Sequence, residues 1–207
     1  LSKCKNPLIV QFWQNAEKTT GDQGLQNWTQ YVNSKFDIFM SNDVMRPIIA
    51  QEKSAFNFRE MMDSKKIFLV NLSKGRLGDI NAELLGLIIV GKFSQAAMSR
   101  VDSIGKPMND FYLYIDEFQN FTTPAIASIL SEARKYRLSL NVAHQYISQL
   151  TEEIKGAIFG NVGSMAVFRI SADDAKYLES KFSPTFTATD IMKIENRHSY
   201  LSLLAEV

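Results

Sequence analysis

The chain has 207 residues, and 23 basic against 22 acidic side chains leave a formal charge of +1. That length suits one substantial domain with a small helical addition, and the near-neutral balance provides no global basic field that would demand a nucleic-acid partner. Cys4 stands alone, which excludes an intrachain disulfide, and no His/Cys cluster has zinc-finger spacing, so a reducing compartment is expected.

In chain order, PLIVQFWQNAEK and LQNWTQYVNSKFDIFM space aromatic and aliphatic residues three and four apart. This predicts helices over residues 7–40, with TTGDQG as the break between them. Trp13 and Trp28 are expected to pack in a core or between helices rather than to serve as ligand platforms. DVMRPIIAQEKSAFNFREMMDS then predicts short helical pieces, interrupted at Pro47 and at residues 54–57. Residues 1–60 are thus expected to form a helical, insertion-like segment, with residues 61–207 as the second domain.

The character changes at residue 65. KKIFLVNLSKG predicts a strand closed by a Gly-containing loop, and INAELLGLIIVGKFSQAAMSR a long apolar helix. Its most apolar run, LLGLIIVG, falls short of the roughly 20 residues of a membrane span. No signal-peptide pattern opens the chain, so a soluble, cytoplasmic protein is expected. After the link VDSIGKPMND come the strand FYLYI, a helix over 124–135, the strand LSLNVAH, an irregular stretch, the strand SMAVFRI, a helix over 172–180 and the strand HSYLSLL. Apolar strands alternating with helices predict an α/β fold, a mostly parallel sheet with helices on both faces. Such a sheet presents its ligand site at the carboxyl ends of its strands.

The FYLYI strand ends in Asp116 and Glu117, which has the Walker B pattern of P-loop ATPases. In that pattern Asp116 holds Mg²⁺ through its water shell, and Glu117 orients and polarises the attacking water. Taken alone, the pair reads equally well as two solvated acids capping a strand. The next strand ends in His144 and Gln145, and an amide there can bond a γ-phosphate oxygen or the attacking water. For Gln145 alone, a strand-end turn residue is the simpler reading. His144 takes no assigned role, because Glu117 fills that of the base better. Arg134, Lys135 and Arg137 lie at the end of the preceding helix, where cations favour the helix dipole. An arginine there could instead reach a neighbouring subunit's γ-phosphate.

Together, IFLVNLSKGRLG, YLYIDEFQNF, ILSEARKYRLSLNVAHQYISQL and IFGNVGSMAVFRISADDAKYLE resemble the motor domain of the TraG/TraD-type coupling ATPases of conjugation and type IV secretion. These belong with the HerA/FtsK group of hexameric DNA pumps. The resemblance runs from about residue 45 to the end, and its pieces are more specific jointly than singly. It implies a RecA-like core with Asp116 and Glu117 as the Walker B pair and Gln145 as the sensor glutamine. Arg134 falls where related motors carry a trans-acting arginine finger, and Arg169 becomes a candidate nucleotide or subunit contact. It further implies ATP and Mg²⁺, a homohexamer contacting DNA phosphates without sequence preference, secretion-channel and relaxosome partners, and inner-membrane anchoring through upstream helices.

One departure is plain: no GxxxxGK[ST] loop occurs in the sequence, and LSKGRLGD has its glycines and lysine in the wrong order. In the family that phosphate loop lies nearer the N-terminus. The chain is therefore expected to be the C-terminal part of a motor, inactive alone. Lys74 and Arg76 in LSKGRLG either face nucleic acid or a neighbouring subunit, or belong to a solvated turn that starts the next helix near Asp79. Two rivals remain: a degenerate, non-hydrolysing interaction module, and a P-loop ATPase of another group, such as a soluble HerA-like pump, a helicase or a packaging motor.

Overall fold

In a computed structural model, which describes residues 4–122 and 124–204 without the side chains of 17, 19–28, 38, 124, 125, 127 and 128, the chain divides into two units. These are Leu1–Ser54 and Ala55–Val207.

In the first unit, the Asn6 side chain accepts the Leu8 amide at 3.0 Å, and Pro7 opens helix α1, Pro7–Met40. Its 34 residues run through TTGDQG without the expected break. No proline interrupts that stretch, and an interior glycine costs only about 1 kcal/mol relative to alanine, too little to stop a helix already propagating on both sides. Trp13 also departs from expectation: it is 40% exposed and lies edge-on against Phe12, held by a helix neighbour rather than a core. Trp28 lies outside the described side chains. Helix α2, Met45–Ile49, starts where the Asn42 side chain accepts the Val44 and Met45 amides, and takes Pro47 within its first turn, where a missing N–H is tolerated.

The second unit begins with α3, Phe58–Asp63, capped by the Asn57 side chain on the Arg59 and Glu60 amides. Residues 66–73, expected as a strand, join no ladder. Phe68 turns inward onto Phe58 and Phe93, while Ile67 and Leu69 are 88% and 89% exposed. The side chains alternate as a strand's would, yet a cleft of about 1150 Å³ separates this backbone from its nearest strand. A short helix, α4, Lys74–Leu77, ends at Gly78, whose φ of 78° suits glycine. Helix α5, Asp79–Met98, follows and continues as a 3-10 turn over Ser99–Ser103. By length and composition that span could cross a membrane. Here it packs the core through Ala82, Leu85, Val90, Phe93, Ala96 and Ala97.

Strand β1, Phe111–Ile115, leads through a 3-10 turn, Phe118–Phe121, into α6, Pro124–Glu132. A second 3-10 turn, Ala133–Tyr136, then delivers β2, Leu138–Val142. The two strands pair in parallel, Phe111 opposite Leu138 through Ile115 opposite Val142. Their apolar residues face α5, α6 and α7, Glu152–Asn161, in the first core. Tyr112 and Tyr114, at 57% and 73% exposure, stand on the other face, so this pair is covered on one side only.

Beyond α7 lie β3, Met165–Val167, α8, Ala172–Phe182, α9, Ala188–Met192, and β4, Tyr200–Ser202. β3 and β4 pair antiparallel over a second core formed by Ile147, Val167, Ala175, Leu178, Phe182, Ile191 and Ile194. Among the described residues the strands thus form one parallel and one antiparallel pair, without a ladder joining them.

At the amino end of the parallel pair Arg100 is fully buried. Its guanidinium meets Asp63 at 2.9 Å and donates to the carbonyls of Asn109 and Tyr136. One side chain thereby ties α3 to the segments that enter β1 and β2. The planar, many-donor guanidinium suits such a junction.

Candidate functional site

The hydrogen bonding of β1 and β2 continues past their ends: Ala143 donates its amide to the Ile115 carbonyl at 3.0 Å and accepts that of Phe118 at 2.9 Å. Between these bonds the chain turns sharply. Glu117 takes left-handed backbone angles, φ 49° and ψ 44°, which cost a non-glycine residue roughly 1–2 kcal/mol. Neighbouring bonds hold it there. Its amide donates to Asp116 Oδ1 at 2.9 Å, and the adjacent Phe118 is fully buried.

This turn delivers the Glu117 carboxylate to two amides. Gln145 Nε2 donates to Oε1 at 2.5 Å, and Gln119 Nε2 donates to Oε2 at 2.6 Å. Bonds to a carboxylate are stronger than neutral ones, and the pair fixes the orientation of the group. Helix α5 supports the turn from below: a Cβ at Gly86 would lie 2.2 Å from the Phe121 ring, so glycine alone admits that ring.

Asp116 is exposed and Glu117 half-buried, and both line one end of the cleft between residues 65–72 and β1. Lys74 joins them there, its Nζ 3.3 Å from Asn120 Oδ1 and 3.6 Å from Asp79. Of the two cations in LSKGRLG, Lys74 belongs to this site's wall; Arg76 is exposed. Among the described residues, no three His, Cys, Asp or Glu side chains gather as a metal cage.

The other candidates lie elsewhere. Arg134 is in the 3-10 turn before β2, so the strand's five residues, at about 3.3 Å each, hold it roughly 16 Å from the end that carries Gln145. Arg169 follows β3 and bonds Asn196 at 2.8 Å. His144 is half-buried; burial pushes its imidazole pKa down, opposed in part by the Asp174 carboxylate. The structure thus brings Asp116, Glu117 and Gln145 together and leaves Arg134 apart within one chain.

Sequence reasoning missed Gln119 and Gly86. The signal for Gln119 was present in DEFQNF, since an amide shortly after an acid can fold back onto it if the acid turns the chain. Lys74 was noticed without a partner, because nothing in LSKGRLG says that this loop returns to the end of β1.

Two neighbouring acids, Asp116 and Glu117, and the amide of Gln145 thus lie at the carboxyl end of a parallel strand pair. Residues 110–200 match the family model described as the TraM recognition site of TraD and TraG. This stretch of the chain is therefore similar to the TraM recognition site of TraD and TraG. No curated protein and no solved structure matches the chain.

Proposed function

We propose that the chain is part of an ATP-driven coupling protein, a hexameric motor that moves DNA toward a secretion channel during conjugation. The observation that carries this is the Glu117–Gln145 contact at 2.5 Å, which sets a carboxylate and an amide from adjacent parallel strands at one strand end. In this reading the two strands belong to a RecA-like sheet, and residues 66–73 flank β1 as a further strand once the sheet is complete.

The family-type site uses Asp116 to hold Mg²⁺ through water, a role that an exposed acid outside any protein-built cage fits, and Mg²⁺ would neutralise charge on the nucleotide phosphates. Glu117 orients and polarises the attacking water, and Gln145 responds to the γ-phosphate. Arg134 acts across a subunit boundary, which agrees with its distance from the site of its own chain. Arg169 remains a subunit or nucleotide contact. The phosphate loop, and helices that anchor a cytoplasmic motor to the inner membrane, would come from outside these residues. Loops facing the ring's channel would contact DNA phosphates without sequence preference. The stretch 110–200 would dock the relaxosome protein TraM, as the family's description states of TraD and TraG.

The match of residues 110–200 to a TraM recognition site favours a second reading, a motor-like docking module without hydrolysis. One experiment separates the two. In the full-length protein, Glu117→Gln should abolish ATP turnover while sparing nucleotide binding and, in the docking role, TraM binding. A wild-type protein that binds TraM but neither binds nor hydrolyses ATP would establish the module instead.

A further inference from the structure

Two residues beyond Gln145, the chain meets a buried acid from another element. Asp174, in the first turn of α8, is 6% exposed, and its Oδ2 accepts the backbone N–H of Ile147 at 3.4 Å. The Ile147 side chain is buried in the second core with Val167, Ala175 and Leu178. At the loop's other end Ala143 is bonded to the β1 side through both its backbone groups. Residues 143–147 therefore bridge the two cores, fixed at each end, with Gln145 between the fixed points.

Burying a carboxylate is costly unless its surroundings compensate. The positive end of α8 offsets part of that cost. The helix does not need Asp174 as its cap, because Ser171 supplies that acceptor to the Asp174 amide. What Asp174 adds is an acceptor for an amide N–H that would otherwise be buried without a partner, and that N–H lies in the segment that aims Gln145.

We infer that Asp174 is a positioning residue: it holds the 143–147 loop so that Gln145 meets Glu117, and makes the placement of α8 part of the geometry of the site. Its effect on turnover rests on the hydrolytic function proposed above; its hold on the loop does not.

The test has two arms. In the 207-residue chain, amide hydrogen exchange at Ile147 is compared for Asp174→Ala, Asp174→Asn and Ser171→Ala. In the full-length protein, kcat and KM for ATP are measured for the same variants. Loss of the acceptor in D174A should speed Ile147 exchange about tenfold and lower kcat by a similar factor, with KM for ATP little changed. D174N retains an acceptor oxygen and should preserve both values. S171A weakens the α8 cap and should speed exchange in the first turn of α8 while leaving Ile147 protected. Should D174A fail to fold, Asp174→Ser, too short to reach Ile147, takes its place with the same expectation. Unchanged Ile147 exchange in D174A, or a D174N defect equal to that of D174A, would overturn the assignment. A full-length protein that never hydrolyses ATP would remove the motor reading, and Ile147 exchange would still decide the role of Asp174.

Discussion

Gln145, carried past the end of β2, donates its amide to Glu117, carried past the end of β1, at 2.5 Å. Parallel pairing in register from Phe111–Leu138 to Ile115–Val142 makes this meeting possible, because it brings both strands to the same edge together. An antiparallel pairing would have sent the two side chains to opposite ends.

Replacing Gln145 by glutamate tests that proximity without reference to catalysis. A second carboxylate beside Glu117 loses the hydrogen bond and adds like-charge repulsion. The Gln145→Glu chain should be less stable than wild type by about 1–2 kcal/mol at pH 7. The deficit should shrink near pH 4, where carboxylates protonate. Thermal unfolding at the two pH values measures both, and equal melting temperatures at pH 7 would mean that the two side chains do not meet in solution.

Gly86→Ala introduces a methyl group where the Phe121 ring now lies. The ring must move, and the 3-10 turn carrying Gln119 must move with it. Overpacking of this kind costs about 1–3 kcal/mol, read from chemical denaturation. Phe121→Ala in the same background should recover part of the loss, since it removes the clash at the price of a smaller core contact.

Arg100→Met should destabilise the chain by about 3 kcal/mol, because it removes a buried ion-pair partner and leaves the Asn109 and Tyr136 carbonyls short of a donor. Lysine should rescue little, because its three donors radiate from a single nitrogen and do not reproduce the planar fork that spans the three acceptors. A midpoint shift at constant m-value in urea would identify the effect as a change in stability.

His144 predicts a pH dependence with a definite sign. Burial lowers its folded pKa below the ordinary 6.5, so the unfolded chain binds the proton more readily. Its contribution to stability is present above about pH 6.5 and is lost as pH falls from there through the lowered folded value. His144→Gln should flatten the slope of melting temperature against pH across that window. An unchanged slope would place the responsible titration elsewhere.

Several elements of the second unit were legible in the sequence, since FYLYI, LSLNVAH and the α5 segment carry apolar runs with clear boundaries and ADDAKYLESKF spaces its apolar residues as one helix face. The convergence of Asp116, Glu117 and Gln145 was legible too, because strand ends in a parallel pair share an edge. Other features depended on geometry that spacing does not encode. Gln119 reaches Glu117 only because a non-glycine residue adopts a left-handed turn. Arg100 sits in AAMSRVDS, where a charged residue reads as surface, and its burial follows from three acceptors supplied by distant segments. The 66–73 stretch has a strand's composition, but a ladder also needs a neighbour at hydrogen-bonding distance, which local composition cannot supply.

The cleft beside β1 has a practical corollary for anyone handling this chain. On the edge away from β2, β1 joins no ladder among the described residues, and the flanking acids Asp110 and Asp116 stand only at its two extremities. Nothing charged interrupts FYLYI itself, so a foreign strand would meet no repulsion along its middle. Concentrated stocks should drift toward intermolecular sheet, and a lysine at Tyr112 or Tyr114, both already facing solvent, should keep them monodisperse.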